Sequence, residues 1–409
     1  MVLAPYYIIM VKYMKKIFIL GASRLQIPAI KKAKEKGLYV YVLDYDTNAT
    51  GIKYADQYLE ISTIDKEAVY AAAIKYTPDY IITSTSDMPV RTVSWVNEQL
   101  NKPTDISYAD AICATDKVAM RNRMKNACVP IPKFHVIDTY DKFRKVIPLM
   151  PQQFILKPSD SSASRGVILI DKSQKNNFKD LYNYCIEYSK SGIALVEEYM
   201  EGPEVSVESY SINGIPHIIS ITDKIVTEHP FFVELGHTEP SRLSTSIQDD
   251  IRNVAESAIK AIGIMNGPTH TEIKITPDGA KLVEIAARLG GDYITSRLVP
   301  LSTGVDMIEC SFNTLLNETV SIQKNRDKGA AIRFLHGGPG FLKEISGLDK
   351  VKMLDGIEEV ELYKTEGDYI CSPKSSSDRI GHIIATGNDA DEASSIVEHA
   401  LSLIKMIIE

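Results

Sequence analysis

HTEIKITPDGAKLVEIAARLGGD, residues 270–292, reads as two short strands joined at Pro277, Asp278 and Gly279. A three-residue loop there, a type I turn closed by Gly279 as a G1 bulge, sets Thr276 against Ala280. Glu272 then falls directly opposite Glu284, twelve residues on. On the other face Ile273 meets Val283, with Ile275 and Ile285 beside them, so that face is core and the glutamate face meets something polar. Like charges opposed at about 5 Å between Cβ atoms destabilise a strand pair unless something neutralises them. The hairpin alone leaves two readings open. The carboxylates splay into water or pair with Lys274 and Lys281, or they hold a divalent cation. His270, two positions before Glu272, shares its face and is either a packing histidine or a further polar contact.

The rest of the chain narrows the choice. Its 409 residues suffice for two or three domains with a substantial core. With 46 basic and 53 acidic side chains the net charge is -7, and neither end is a basic arm, so no nucleic-acid or anionic-membrane partner is expected. The five cysteines are scattered and odd in number, without a C-x-x-C pair, which fits a reducing cytoplasm better than a disulfide framework or a zinc site. The opening MVLAPYYIIMVKYMKKIFIL is apolar but broken by Lys12, Lys15 and Lys16, and no small-residue cleavage site follows. It reads as neither signal peptide nor membrane anchor. Met14 is an alternative start, and residues 1–13 are expected to be disordered.

From 15 to about 105 strands and helices alternate: KIFIL, the helix PAIKKAKEKG ending at Gly37, YVYVLDYD, the helix DKEAVYAAAIKY, then DYIITSTS. This is the start of a doubly wound parallel sheet, whose ligand side lies at the strands' carboxyl ends. The turn GASRLQ lacks the full G-x-G-x-x-G pattern of a dinucleotide site. From 106 to 320 the chain is β-rich with a few helices, an α+β stretch within an α/β protein. Residues 321–409 form a last α+β domain, with strands GAAIRFLHG and GHIIATG and a closing helix, DEASSIVEHALSLIKMI.

Lys157 ends the apolar strand FILKP, where an ammonium is out of place unless a phosphate lies near. The loop after it, SDSSASRGV (159–167), offers backbone N–H groups and the hydroxyls of Ser161, Ser162 and Ser164. An ordinary polar hairpin loop is the plainer reading. LVEEYMEGPEVSVE runs an apolar strand into Glu197 and Glu198 and turns at Gly202-Pro203 before Glu204. Such a strand end can read a purine edge while a carboxylate accepts from ribose hydroxyls; a solvated acidic turn is the alternative.

In order, these pieces resemble the ATP-grasp superfamily over nearly the whole chain. The order is a lysine in ATDKVAMRNRMKNACVPIP, the lysine of ILKP with its small-residue loop, the acidic hinge VEEYMEGPE, and the glutamates of HTEIKI and LVEIAARLGG. TDKIVTEHPFFVELGHTEPS (222–241), EIAARLGGD and GHIIATGNDADEA look most like the L-amino acid ligases, a branch similar to biotin carboxylase and the purine-pathway carboxylases.

The resemblance implies an ATP-grasp fold with an N-terminal domain (1–105), an ATP-grasp domain (106–320) carrying a mobile lid (about 133–196), and a C-terminal domain (321–409). It implies that Lys117 and Lys157 contact the ATP phosphates, that Glu197 with the backbone of Glu198, Tyr199 and Met200 holds adenine, and that Glu204 takes the ribose. Glu272 and Glu284 would bind one or two Mg²⁺ ions. Arg288 would steady the transferred phosphoryl group, and Lys224 and His237 would lie on the phosphate and substrate side. Two departures stand out. Family members commonly carry Asn two positions after the second glutamate, where this chain has Ala286, and the phosphate loop is serine-rich rather than glycine-rich.

The activity implied is that of an ATP-dependent carboxylate–amine ligase working through an acyl phosphate, with an amino acid among its substrates. A carboxylase activating bicarbonate and a non-catalytic nucleotide-binding protein are the alternatives. A homodimer is the expected assembly. Outside the motifs, Arg333 in AAIRF is read as a structural ion pair or a contact to a substrate carboxylate, and Arg379 as a second substrate contact or a structural residue.

Overall fold

A computed structural model describes residues 14–161, 165–173, 177–227 and 232–409. Residues 1–13, with their expected disorder, and the hydroxyls of Ser162 and Ser164 lie outside the described residues. No helix among the described residues is long and apolar enough to cross a membrane.

The N-terminal part is a parallel sheet in the order Gln57–Glu60, Tyr39–Asp44, Lys16–Leu20, Tyr80–Thr83. Alternate residues of its strands face opposite sides, as a period of two requires. Ile17, Ile19, Val40 and Val42 pack on the helix Ile27–Glu35, while Phe18, Leu20, Tyr41 and Leu43 pack on the helices Lys66–Tyr76 and Met88–Gln99. Both faces are therefore covered, and the sheet is doubly wound. Asp65 caps Lys66–Tyr76 by accepting from the Ala68 N–H, and Gly37 takes the positive φ that lets the chain leave the first helix.

Residues 134–198 build a separate antiparallel sheet, ordered Phe134–Ile137, Ala194–Glu198, Gln153–Pro158, Ile168–Asp171. It has its own core, with Phe143, Phe154, Leu156, Ile170 and Val196 fully or almost fully buried beneath two short helices.

Among the described residues the largest sheet has eight strands: Gly279–Ala286, Gly267–Thr276, Glu204–Ile212, Ile215–Val226, Glu234–Glu239, Gly329–Leu335, Gly381–Gly387 and Ile357–Leu362. Its hydrogen bonds run without interruption from Glu234–Glu239 to Gly329–Leu335, so strands from either side of residue 321 belong to one sheet. The helix Thr245–Ile262 buries Ile251, Val254, Ala258 and Ile262 against one face.

Two expectations are corrected. The closing helix spans Ala390–Leu403 rather than running on, because Lys405–Ile408 form a strand that pairs with Gly340–Ser346; a partner edge overrides local helical periodicity. The 270–292 hairpin also turns differently. Thr276 pairs with Gly279 and Ile275 with Ala280 around a two-residue Pro277-Asp278 loop, and Ile273 meets Leu282 rather than Val283. The extra residue expected at the turn sits instead as a bulge at Val283. Both arrangements insert one residue before Glu284, so Glu272 still faces Glu284 directly.

Candidate active site

The helix Lys117–Asn126 starts at Asp116, whose carboxylate accepts from the Ala119 N–H. Lys117 and Arg121, four positions apart, share one buried face of it. Lys117 Nζ donates to Glu284 Oε1 at 3.0 Å and to the Ser161 carbonyl at 2.8 Å. Across the hairpin, Lys224 Nζ lies 3.0 Å from Glu272 Oε1 and 2.6 Å from Glu204 Oε1. Each glutamate of the opposed pair thus has a lysine from a different element. The partners are not Lys274 and Lys281: Lys274 lies over the Tyr199 ring, and Lys281 approaches Glu198 and Asp278. Burial works against the charge on Lys224, but Glu204, Glu272 and Glu234 outweigh it and hold the ammonium well above its ordinary range. Burial likewise opposes ionisation of Glu272, and Lys224 with His270 outweighs it, keeping the carboxyl well below its usual range.

Lys157 and Glu197 are drawn together more tightly than their separate roles suggested. Lys157 Nζ is 2.7 Å from Glu197 Oε2, and Arg121 forks onto the same carboxylate, Nε to Oε1 at 2.7 Å and Nη2 to Oε2 at 3.1 Å. All three are buried. Burial alone would raise the Glu197 carboxyl, yet the two cations bring it down to about 2. Burial lowers the Lys157 ammonium, with Arg121 and Lys117 repelling it further. Glu198 accepts from the Lys133 N–H at 3.1 Å, and Met200 is buried.

Two cavities meet at the hairpin. A narrow one, about 140 Å³, is lined by Lys117, Lys157, Ser161, Glu197, Glu198, Tyr199, Met200 and Glu204, with Phe232 and Val283 as apolar walls. A wide cleft of about 780 Å³ opens toward the carboxyl ends of the N-terminal parallel strands, at Gly21, Asp44 and Thr85, and includes His237, His270 and Arg288. Lys224, Glu234, Glu272 and Glu284 line both. The opposed glutamates therefore form a wall shared by the narrow slot and the wide cleft. Their donor chemistry, two carboxylates with the buried Ser206 hydroxyl opposite Glu272, fits a hard divalent cation. Ser206 Oγ has no hydrogen-bond partner among the described residues.

In the wide cleft, Arg288 Nε donates to Asp87 Oδ1 at 2.6 Å, so the N-terminal domain orients it; Asp87 also outweighs burial in raising the guanidinium. His237 is buried, with Nε2 3.3 Å from Asp292 Oδ2. Arg379 reaches in from the last domain and binds Asp292 through both terminal nitrogens, at 2.7 and 2.8 Å, while Nε donates to the Glu234 carbonyl. Arg379 is thus committed to holding the cleft wall. Arg333 is likewise structural, bonded to Glu398, to Ser394 and to the His237 carbonyl.

The side chains missed from sequence are Arg121, Asp87, Glu208, Glu234 and Asp292. Arg121 carries a signal, being one helical turn after Lys117. Glu204, Ser206 and Glu208 alternate along EVSVE and so share the strand face that carries Glu204. Asp87 and Asp292 have no local signal, since their partners are 201 and 87 residues away in the chain.

A family model described as an ATP-grasp domain matches residues 150–296, and one described as L-amino acid ligase C-terminal domain 2 matches residues 333–409. The chain is 26% identical over 399 residues to the uncharacterized protein y4rH of Sinorhizobium fredii, covering 95% of this chain and 79% of that protein. It is 24% identical over 376 residues to the L-arginine-specific L-amino acid ligase of Bacillus subtilis, covering 90% and 85% of the two. Its fold is similar to the crystal structure of an L-amino acid ligase from Bacillus licheniformis, with a TM-score of 0.80 and 21% identity over 97% of this chain and 99% of that one.

Proposed function

Because the chain belongs to the ATP-grasp superfamily, we propose that it activates a carboxylate with ATP and joins it to an amine, one of the two substrates being an amino acid. The observation that carries this reading is the partition: a slot and a wide cleft sharing one wall of two carboxylates and a lysine. A carboxylate in the cleft then attacks the γ-phosphate presented from the slot, giving an acyl phosphate and ADP. The amine attacks the acyl carbon, and phosphate leaves with the C–O electron pair. The match of residues 333–409 to an L-amino acid ligase C-terminal domain favours this over a carboxylase.

In this reading adenine lies along Glu197, Glu198, Tyr199 and Met200, ribose hydroxyls donate to Glu204, and Lys117 and Lys157 meet the phosphates. Ser161, whose carbonyl accepts from Lys117, lines the slot beside them. Glu272 and Glu284 would hold Mg²⁺, which when bound would offset charge on the phosphate oxygens. Arg288, held by Asp87, faces the transferring group, and such preorganised donors typically contribute about 10²- to 10³-fold each. Lys224 and His237 line the substrate side. The sheet of residues 134–198 with its own core is the proposed lid, since an acyl phosphate must be kept from water. Five free cysteines support a cytoplasmic setting, and a homodimer is the proposed assembly.

The test is phosphate release from ATP and Mg²⁺ with mixed amino acids. Amino-acid-dependent release with an amide detected by mass supports the ligase. Release that needs bicarbonate replaces it with the carboxylase, and no release under either condition leaves nucleotide binding alone.

A further inference from the structure

We propose that the strand Lys405–Ile408 pairs antiparallel with the same strand of a second copy of this chain, an inference that rests on the homodimer reading above and names its interface. The strand is the outer member of a sheet ordered Tyr369–Ile370, Gly340–Ser346, Lys405–Ile408. Its far side has no neighbouring strand among the described residues. An open edge of this kind is a template for another chain.

Which backbone groups face out follows from the inner side. The Phe341 N–H donates to the Glu409 carbonyl at 2.6 Å, and the Glu409 N–H donates to the Phe341 carbonyl at 3.1 Å. Directions alternate along an antiparallel strand, so Glu409, Ile407 and Lys405 turn their backbone groups inward, and Ile408 and Met406 turn theirs to the open edge. A two-fold axis through Ile407 sets Met406 against the partner's Ile408 and Ile408 against the partner's Met406. All the outward N–H and carbonyl groups of these two residues are then satisfied, and the contact is self-complementary.

Charge selects this register over its neighbours. With the axis at Ile407, Lys405 lies directly opposite the partner's Glu409, and Glu409 opposite the partner's Lys405. Both side chains are exposed, and neither meets an opposite charge among the described residues. Moving the axis to Met406 or Ile408 keeps outward groups facing one another but sets a charged side chain across from Ile407.

The exposed face agrees. Phe341 opposes Glu409, so their side chains share a face with Ile407, two positions along, while Leu342, Met406 and Ile408 pack into the core on the other. Ile407, Phe341 and Tyr369 are each about half exposed, and the two rings meet edge to face at 5.1 Å. Pairing brings Ile407 against its own copy at the axis and carries this apolar face across one continuous sheet.

Sedimentation equilibrium of the full chain, at low salt and without nucleotide, tests this. Two short edges cover little area, so the dimer is weak, with a Kd on the order of 10–100 µM. Lys405→Glu and Glu409→Lys each set like charges opposite one another twice, and each raises Kd about 10-fold. The double variant Lys405→Glu/Glu409→Lys restores the wild-type value. Met406→Pro removes an outward N–H while leaving the inner ladder paired, and gives a monomer. A wild type that stays monomeric at every concentration overturns the proposal together with the homodimer reading. A dimer that the variants leave unweakened, or single swaps that the double variant does not repair, overturns the proposal and leaves that reading standing. Should Met406→Pro not fold, the charge swaps decide alone. Amino-acid-dependent phosphate release is a separate measurement, and its failure touches only the ligase.

Discussion

Arg121 and Glu197 form a buried bidentate ion pair, 76 residues apart in sequence, and Lys157 closes on the same carboxylate. It ties the helix Lys117–Asn126 to the strand Ala194–Glu198, and so joins the 134–198 sheet to the body of the site.

Replacing Arg121 with Met leaves Glu197 buried with one cation instead of two. Because Lys157 still compensates the carboxylate, the expected cost is about 1–3 kcal/mol, the range for losing buried hydrogen bonds to a charged group. Urea unfolding measures it. Arg121→Lys, which cannot fork, recovers only part, and a loss below about 1 kcal/mol in Arg121→Met would mean the pair is dispensable.

Glu284→Ala removes one wall of the partition while leaving the sheet paired. Turnover is expected to fall at least about 10²- to 10³-fold with the circular dichroism spectrum unchanged. Undiminished phosphate release in this variant would sink the metal assignment.

Glu239 is fully buried and accepts from the Thr222 hydroxyl at 3.1 Å. Burial, with the Glu208 charge adding to it, pushes its carboxyl up from an ordinary 4.5 to about 8, against the pull of Ser220, Thr222 and Lys324. The folded protein therefore holds a proton that the unfolded chain releases between these values. Its contribution to stability is full below about 4.5 and is lost as pH rises through about 8. Glu239→Gln keeps the neutral form at all pH, so its melting temperature should exceed the wild type's at pH 9, by the equivalent of a few kcal/mol, and converge with it near pH 5. Parallel melting curves across that range would refute the assignment.

Gly290→Ala drives a methyl into the Glu208 carboxylate, the hydrogen-bond partner of His270 Nδ1. We expect a destabilisation of about 1–3 kcal/mol, as for overpacking, and a shifted His270 Nδ1 resonance in nitrogen-detected NMR of labelled histidine. An unmoved resonance would show that Glu208 does not depend on the glycine.

The hairpin was legible because strand periodicity and a turn signal are local: a single extra residue in the turn or on the second strand before Glu284 opposes the glutamates, so their register survived the misplaced bulge. KIFIL and YVYVLDYD were legible for the same reason, their alternation sending neighbours to opposite faces. What neutralises the glutamates was not. Lys117 and Lys224 are 167 and 48 residues from their partners, and they displaced the nearer Lys274 and Lys281 because only the folded sheet and helix bring them to the glutamate face. Local pattern determined the elements and the order of their motifs. Tertiary packing decided which charges meet, because ion pairing depends on separation in space, and that separation bears no fixed relation to distance along the chain.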